Sequence, residues 1–222
     1  MRRADLISAA VQSVEPERHD WYREHFGAIN PFEHDELFRM FLFARTTVNL
    51  SWESSVRLYD ALQDLSWVGG PQTDLTNTII ECKTGLHNTI SDSIYKFSNV
   101  FYDDPSLFYR GDETWLNYRD RLVKALNGLS ITKVSFVIEM CWPQADVVCL
   151  DRHMLRGVFK VRKSKYGYQV GAPMYRKFEK EWVKACKRLS KLPGITRLAY
   201  WDSLQGYDNP LFWTRQLITT GG

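Results

Sequence analysis

The sequence predicts an all-α protein, and three observations lead to that prediction. Apolar residues recur three and four apart, as at Ile94, Phe97, Val100 and Phe101, the spacing that lines one face of a helix. Glycine and proline punctuate the periodic stretches, at Gly27 to Pro31, Trp67 to Pro71 and Pro193–Gly194. The 222 residues, 44% hydrophobic and 14% aromatic, suffice for one sizeable core or two small lobes.

Residues 1 to 35 read as a helix with one or two loops, in which His19 and His34 fit surface or cap positions. Leu37, Phe38, Met40, Phe41, Leu42 and Phe43 form a strongly apolar helix suited to the centre of a bundle. A polar interruption follows, then a helix through Val56, Leu58, Tyr59 and Leu62, a loop, and a helix over 73–82. Gly85 relieves the turn into the helix of Phe97, which Asp103-Asp104-Pro105 ends. Residues 114–126 form the next helix. Near the C-terminus, 160–173 reads as an extended loop and 174–192 as a basic amphipathic helix holding Phe178, Trp182 and Val183. Pro193–Gly194 breaks it before a short helix through Leu198 and Trp201. Tyr207, Phe212 and Trp213 then cluster near a turn, fit for lobe packing or for stacking on bases.

Composition narrows the function. A mean hydropathy of -0.36, with no run as long as a membrane span, argues against a membrane protein. The first residues are too weakly apolar for a secretory signal, so an intracellular location is expected. Cys82, Cys141, Cys149 and Cys186 lack metal-site spacing and read as buried small hydrophobes. The net charge is only +3, yet residues 156–197 hold thirteen Lys/Arg against Glu179 and Glu181. Such a block suits a surface that lies along phosphates, or else a solvated helix face.

The chemistry concentrates in residues 126–156. This stretch reads as a helix end, a tight turn at Gly128, a buried helix from Ile131 to Met140, a Trp142–Pro143 break and an apolar run into Asp151. Lys133 sits near a helix N-terminus, where the macrodipole disfavours its ammonium form, and a neutral amine is a nucleophile. Asp151, followed by Arg-His-Met-Leu-Arg, fits an N-cap whose carboxylate is held ionised and fixed in direction.

Gly128-x-x-x-x-Lys133, with Leu150-Asp151-x-His153-Met154 eighteen residues beyond the lysine, resembles the helix-hairpin-helix DNA glycosylases, the superfamily of endonuclease III. The resemblance spans about residues 38–160. It implies an all-α fold of two helical lobes with a cleft between them: a six-helix lobe over 36–155 with the helix-hairpin-helix, and a second, basic helical lobe from 1–35 plus 156–222. It further implies a monomer acting on double-stranded DNA with a damaged or modified base: the base is flipped out, Lys133 attacks its sugar, Asp151 assists, and β-elimination cuts the strand. DNA contacts would come from Arg45, Gly128, Ser130, Thr132 and His153. Arg45 stands where the family's glutamine fills the space left by the flipped base. The alternatives are a non-catalytic module binding abasic or distorted DNA and a monofunctional glycosylase using Asp151 and water.

Besides Arg45, the chain departs from the family in three places. Asn127 and Ser130 replace a proline and a glycine of the usual hairpin, and Lys133 lies five rather than four residues after Gly128. Val137 stands where mammalian-type 8-oxoguanine glycosylases carry a base-sandwiching cysteine. The cysteine spacing of the superfamily's iron–sulfur cluster is missing, so neither cofactor nor metal is expected.

Overall fold

The computed structural model of the chain describes residues 2–165 and 167–205. Among them are eleven α-helices, one short 3-10 helix and no strand beyond an isolated bridge between Ser164 and Gly167. The all-α expectation holds; the aromatic turn at Tyr207, Phe212 and Trp213 lies outside the described residues. No described helix is long and apolar enough to cross a membrane, no described group of His, Cys, Asp and Glu could hold a metal ion, and all four cysteines are buried.

The helices are α1 (Arg3–Gln12), α2 (Pro16–Gly27), α3 (His34–Thr46), α4 (Trp52–Leu62), α5 (Gln72–Glu81), α6 (His87–Asp103), α7 (Trp115–Ala125), α8 (Ile131–Cys141), α9 (Arg152–Gly157), α10 (Ala172–Arg188) and α11 (Pro193–Ser203). Their starts follow local chemistry. The hydroxyls of Ser51 and Thr114 accept from Ser54 and Asn117 N–H at 3.2 Å each, capping α4 and α7. Pro16 opens α2, where its missing N–H costs nothing. Residues 1–35 thus hold two helices rather than one, with His19 buried in α2. Pro193–Gly194 likewise starts a helix instead of only ending one, because proline is pre-set for the first helical position.

The chain forms two compact units: 2–29 with 135–205, and 30–134. The division falls inside α8, whereas the sequence resemblance draws it after residue 155. The 30–134 unit is built around α3, buried from Leu37 to Thr46 except at Arg39. Phe38, Phe41, Phe97, Phe101 and Phe108 pack ring on ring, the closest pair, Phe101 and Phe108, with centroids 4.3 Å apart.

In the other unit α1 packs on α10 and α2 on α11, around Tyr22, Phe26, Trp182 and Ile195. Part of its basic block is structural. Lys191 donates to the carbonyls of Val11 and Val14, each at 3.0 Å, closing the end of α1. Arg197 is buried against Glu139, and Lys187 pairs with Asp146. Arg176, Lys177, Lys180 and Lys184 stay on the exposed face of α10.

Candidate active site

Within the 30–134 unit, α7 and the N-terminal turn of α8 enclose the hairpin loop 126–130. Leu126 and Leu129 are buried and anchor it, while Gly128 turns the chain at φ +81°, a region that penalises any side chain. Ser130 caps α8: its carbonyl accepts from Lys133 N–H at 2.9 Å and Val134 N–H at 3.0 Å, and its hydroxyl lies 3.4 Å from Lys133 N–H. The Lys133 amine, half-buried in the first turn of α8, donates to Thr47 Oγ1 at 2.5 Å and to the Thr47 carbonyl at 3.1 Å. Thr47 closes the end of α3, so the central helix of this unit orients the candidate nucleophile.

Arg45 is only 7% exposed. Its Nη1 donates to Ser93 Oγ at 2.6 Å and to the Ser93 carbonyl at 3.2 Å, and its Nη2 donates to the Asn127 carbonyl at 2.8 Å. The guanidinium lies over Phe97, 4.5 Å from the ring centroid, and burial pushes its pKa down to about 10. Arg45 thus ties α3 to α6 and to the hairpin turn. To act as a wedge in DNA it would have to surrender three hydrogen bonds and release that turn. A shallow pocket of about 220 Å³ flanks the turn, lined by Arg45, Ser93, Phe97 and Gly128 with the Asp92–Lys96 ion pair; Lys133 is not in its wall.

In the unit of 2–29 and 135–205, Asp151 caps α9 as its sequence context suggests. Its Oδ1 accepts from the N–H groups of His153 and Met154, both at 2.9 Å. Two such bonds fix its direction. His153 is half-buried, its ring edge-on to Trp201 with centroids 6.5 Å apart. Thr132 is half-buried in the first turn of α8.

Sequence reasoning missed four polar residues. Thr47 gave no signal, because a threonine after an apolar helix is ordinary. Glu139 and Glu179 did give one: Glu139 is a lone acid in an apolar helix, and Glu179 is one of two acids in a basic one and falls on its apolar face. Tyr175 looked like any core aromatic. The three buried side chains of Glu139, Tyr175 and Glu179 bond to the main chain leading into Asp151.

Comparison with solved structures shows that this all-α fold is shared with DNA glycosylases. The chain is similar to the 8-oxoguanine DNA glycosylase of Thermotoga maritima, with a TM-score of 0.73 at 19% identity over 93% of this chain and 99% of that one. It is also similar to the 8-oxoguanine glycosylase/lyase of Methanocaldococcus jannaschii in complex with a 15mer DNA containing 8-oxoguanine, with a TM-score of 0.71, 19% identity, and 93% and 99% of the two chains covered. A second structure of the M. jannaschii protein gives 0.70 at 18% identity, over 92% and 94%. No family model and no curated protein matches the sequence. At these identities the likeness establishes the fold.

Proposed function

We propose that the protein is a DNA glycosylase with abasic-site lyase activity, in which Lys133 is the nucleophile and Asp151 the stabilising carboxylate. The observation that carries this reading is the Lys133 amine on the first turn of α8, just after the hairpin loop, held by the two Thr47 oxygens, in a fold shared with glycosylases. When neutral, an amine that donates both protons to Thr47 directs its lone pair away from that residue. A lone pair so directed is what attack on a sugar carbon needs.

A base stacked in a duplex is out of reach, so the enzyme extrudes it at a cost of a few kcal/mol. Lys133 Nζ then bonds to C1′ while the glycosidic bond breaks and its electrons leave with the base. Positive charge develops on the sugar, and the fixed Asp151 carboxylate stabilises it and takes the proton that the lysine loses. The sugar ring opens to a Schiff base on Lys133. Loss of a C2′ proton drives β-elimination, in which the C3′–O bond breaks and the 3′ phosphate departs. Gly128, Ser130 and Thr132 bring hairpin main chain to a backbone phosphate, and His153 with the exposed basic face of α10 adds contacts that position without reading sequence. The protein acts as an intracellular monomer. An oxidised purine is the first base to test, since the similar solved chains are 8-oxoguanine enzymes.

The experiment is borohydride trapping on a duplex with one abasic site, together with a panel of single-lesion duplexes that includes 8-oxoguanine. Wild type is expected to become covalently linked to the DNA and Lys133→Gln is not. Intact DNA binding without trapping or base release would make the protein a non-catalytic module; base release without strand cleavage would make it a monofunctional hydrolase.

A further inference from the structure

The residues entering Asp151, 147–150, are buried and belong to no helix or strand, with no strand beside them among the described residues. Their amides are satisfied instead by side chains remote in sequence. Val148 N–H donates to Glu179 Oε1 at 2.9 Å, Cys149 N–H to Glu139 Oε2 at 3.0 Å, and Leu150 N–H to the Tyr175 hydroxyl at 2.9 Å. That hydroxyl donates in turn to the Val148 carbonyl at 2.8 Å, so one atom holds both an amide and a carbonyl of the segment. Glu139, Tyr175 and Glu179 are only 1–2% exposed.

Buried amides need partners, but helices, sheets or ordered water normally supply them. Here the chain buries two carboxyl side chains, and taking an ionised carboxylate out of water costs several kcal/mol. Glu139 is offset by Arg197, itself buried, with which it forms a close ion pair. The Glu139 side chain also has little room to shift: a Cβ on Gly194 of α11 would come within 2.7 Å of the Glu139 Cβ. A buried ion pair returns little net stability, and its best use is to fix one geometry.

The residue after this clamp is Asp151, whose carboxylate is held by the first amides of α9. Its main chain is thus fixed from α8 and α10 and its side chain from α9. We infer that Glu139, Tyr175 and Glu179 are positioning residues for Asp151, setting where its carboxylate meets the sugar. The inference rests on the role assigned to Asp151 above.

The test is a double-mutant cycle read as the single-turnover rate of borohydride trapping on an abasic-site duplex, with the melting temperature recorded alongside. Tyr175→Phe deletes the bridging hydroxyl. It is expected to slow trapping at least about tenfold, toward the roughly 10²-fold that a 1 Å misplacement costs, and to slow it no further in an Asp151→Asn background. Equal slowing in both backgrounds, or a lowered melting temperature with an unchanged rate, overturns the inference. Should Tyr175→Phe fail to fold, Glu179→Gln and Glu179→Met decide. The glutamine keeps an acceptor for Val148 N–H and is expected to preserve most of the rate, while the methionine is not; equal rates overturn the inference. A wild type that is never trapped defeats the Asp151 reading and this inference with it. An active wild type with an additive cycle defeats the clamp alone.

Discussion

Arg45→Met tests whether this arginine is a brace or a reader of DNA. Three hydrogen bonds from a charged donor are worth roughly 5–9 kcal/mol together, and a guanidinium over a phenyl ring roughly 1 kcal/mol more. Burial takes part of this back. The fall from 12.5 to about 10 is about 3 kcal/mol against the charged form, and the buried Nε finds no partner among the described residues. Methionine fills similar space without charge, but it leaves the carbonyls of Ser93 and Asn127 without their donor. The expected net loss is about 3–5 kcal/mol, typical of breaking a buried charged network. For a chain of this size that lowers the melting temperature by roughly 10 °C. Thermal unfolding followed by circular dichroism measures it, alongside affinity for an abasic-site duplex. A melting temperature within a degree or two of wild type, with affinity sharply reduced, would refute the brace and restore the wedge.

Three further outcomes are expected. Asp151→Asn keeps an N-cap acceptor and melts close to wild type, while base release falls by about 10²–10³-fold; Asp151→Ala also loses the cap, about 1 kcal/mol in urea unfolding. Asp202 is buried, and desolvation raises its pKa to about 6 despite its 2.6 Å hydrogen bond from Arg18. Between 3.8 and about 6 the folded state then holds more protons than the unfolded one. Stability should therefore be highest below that window and fall as pH rises through it, by on the order of 3 kcal/mol; urea unfolding across the range should show the slope in wild type and not in Asp202→Asn. Gly194→Ala forces a Cβ to 2.7 Å from the Glu139 Cβ, which should cost about 1–3 kcal/mol and slow trapping by disturbing the Glu139 bond to Cys149.

The sequence alone determined what depends on neighbours a few residues away. Apolar spacing marked α3, α6 and α8, the sequence around Asp151 marked its cap, and Gly128 marked the hairpin turn, because a helical face, a cap and a positive φ are properties of short segments. Tertiary structure decided what each polar group works against. Arg45 reaches Asn127 across 82 residues and the Lys133 amine reaches Thr47 across 86, pairings that no local spacing specifies. The amides before Asp151 depend on Glu139, Tyr175 and Glu179, from 10 to 31 residues away. Burial removes the water that would otherwise satisfy such groups, so their partners are fixed only once the helices have packed.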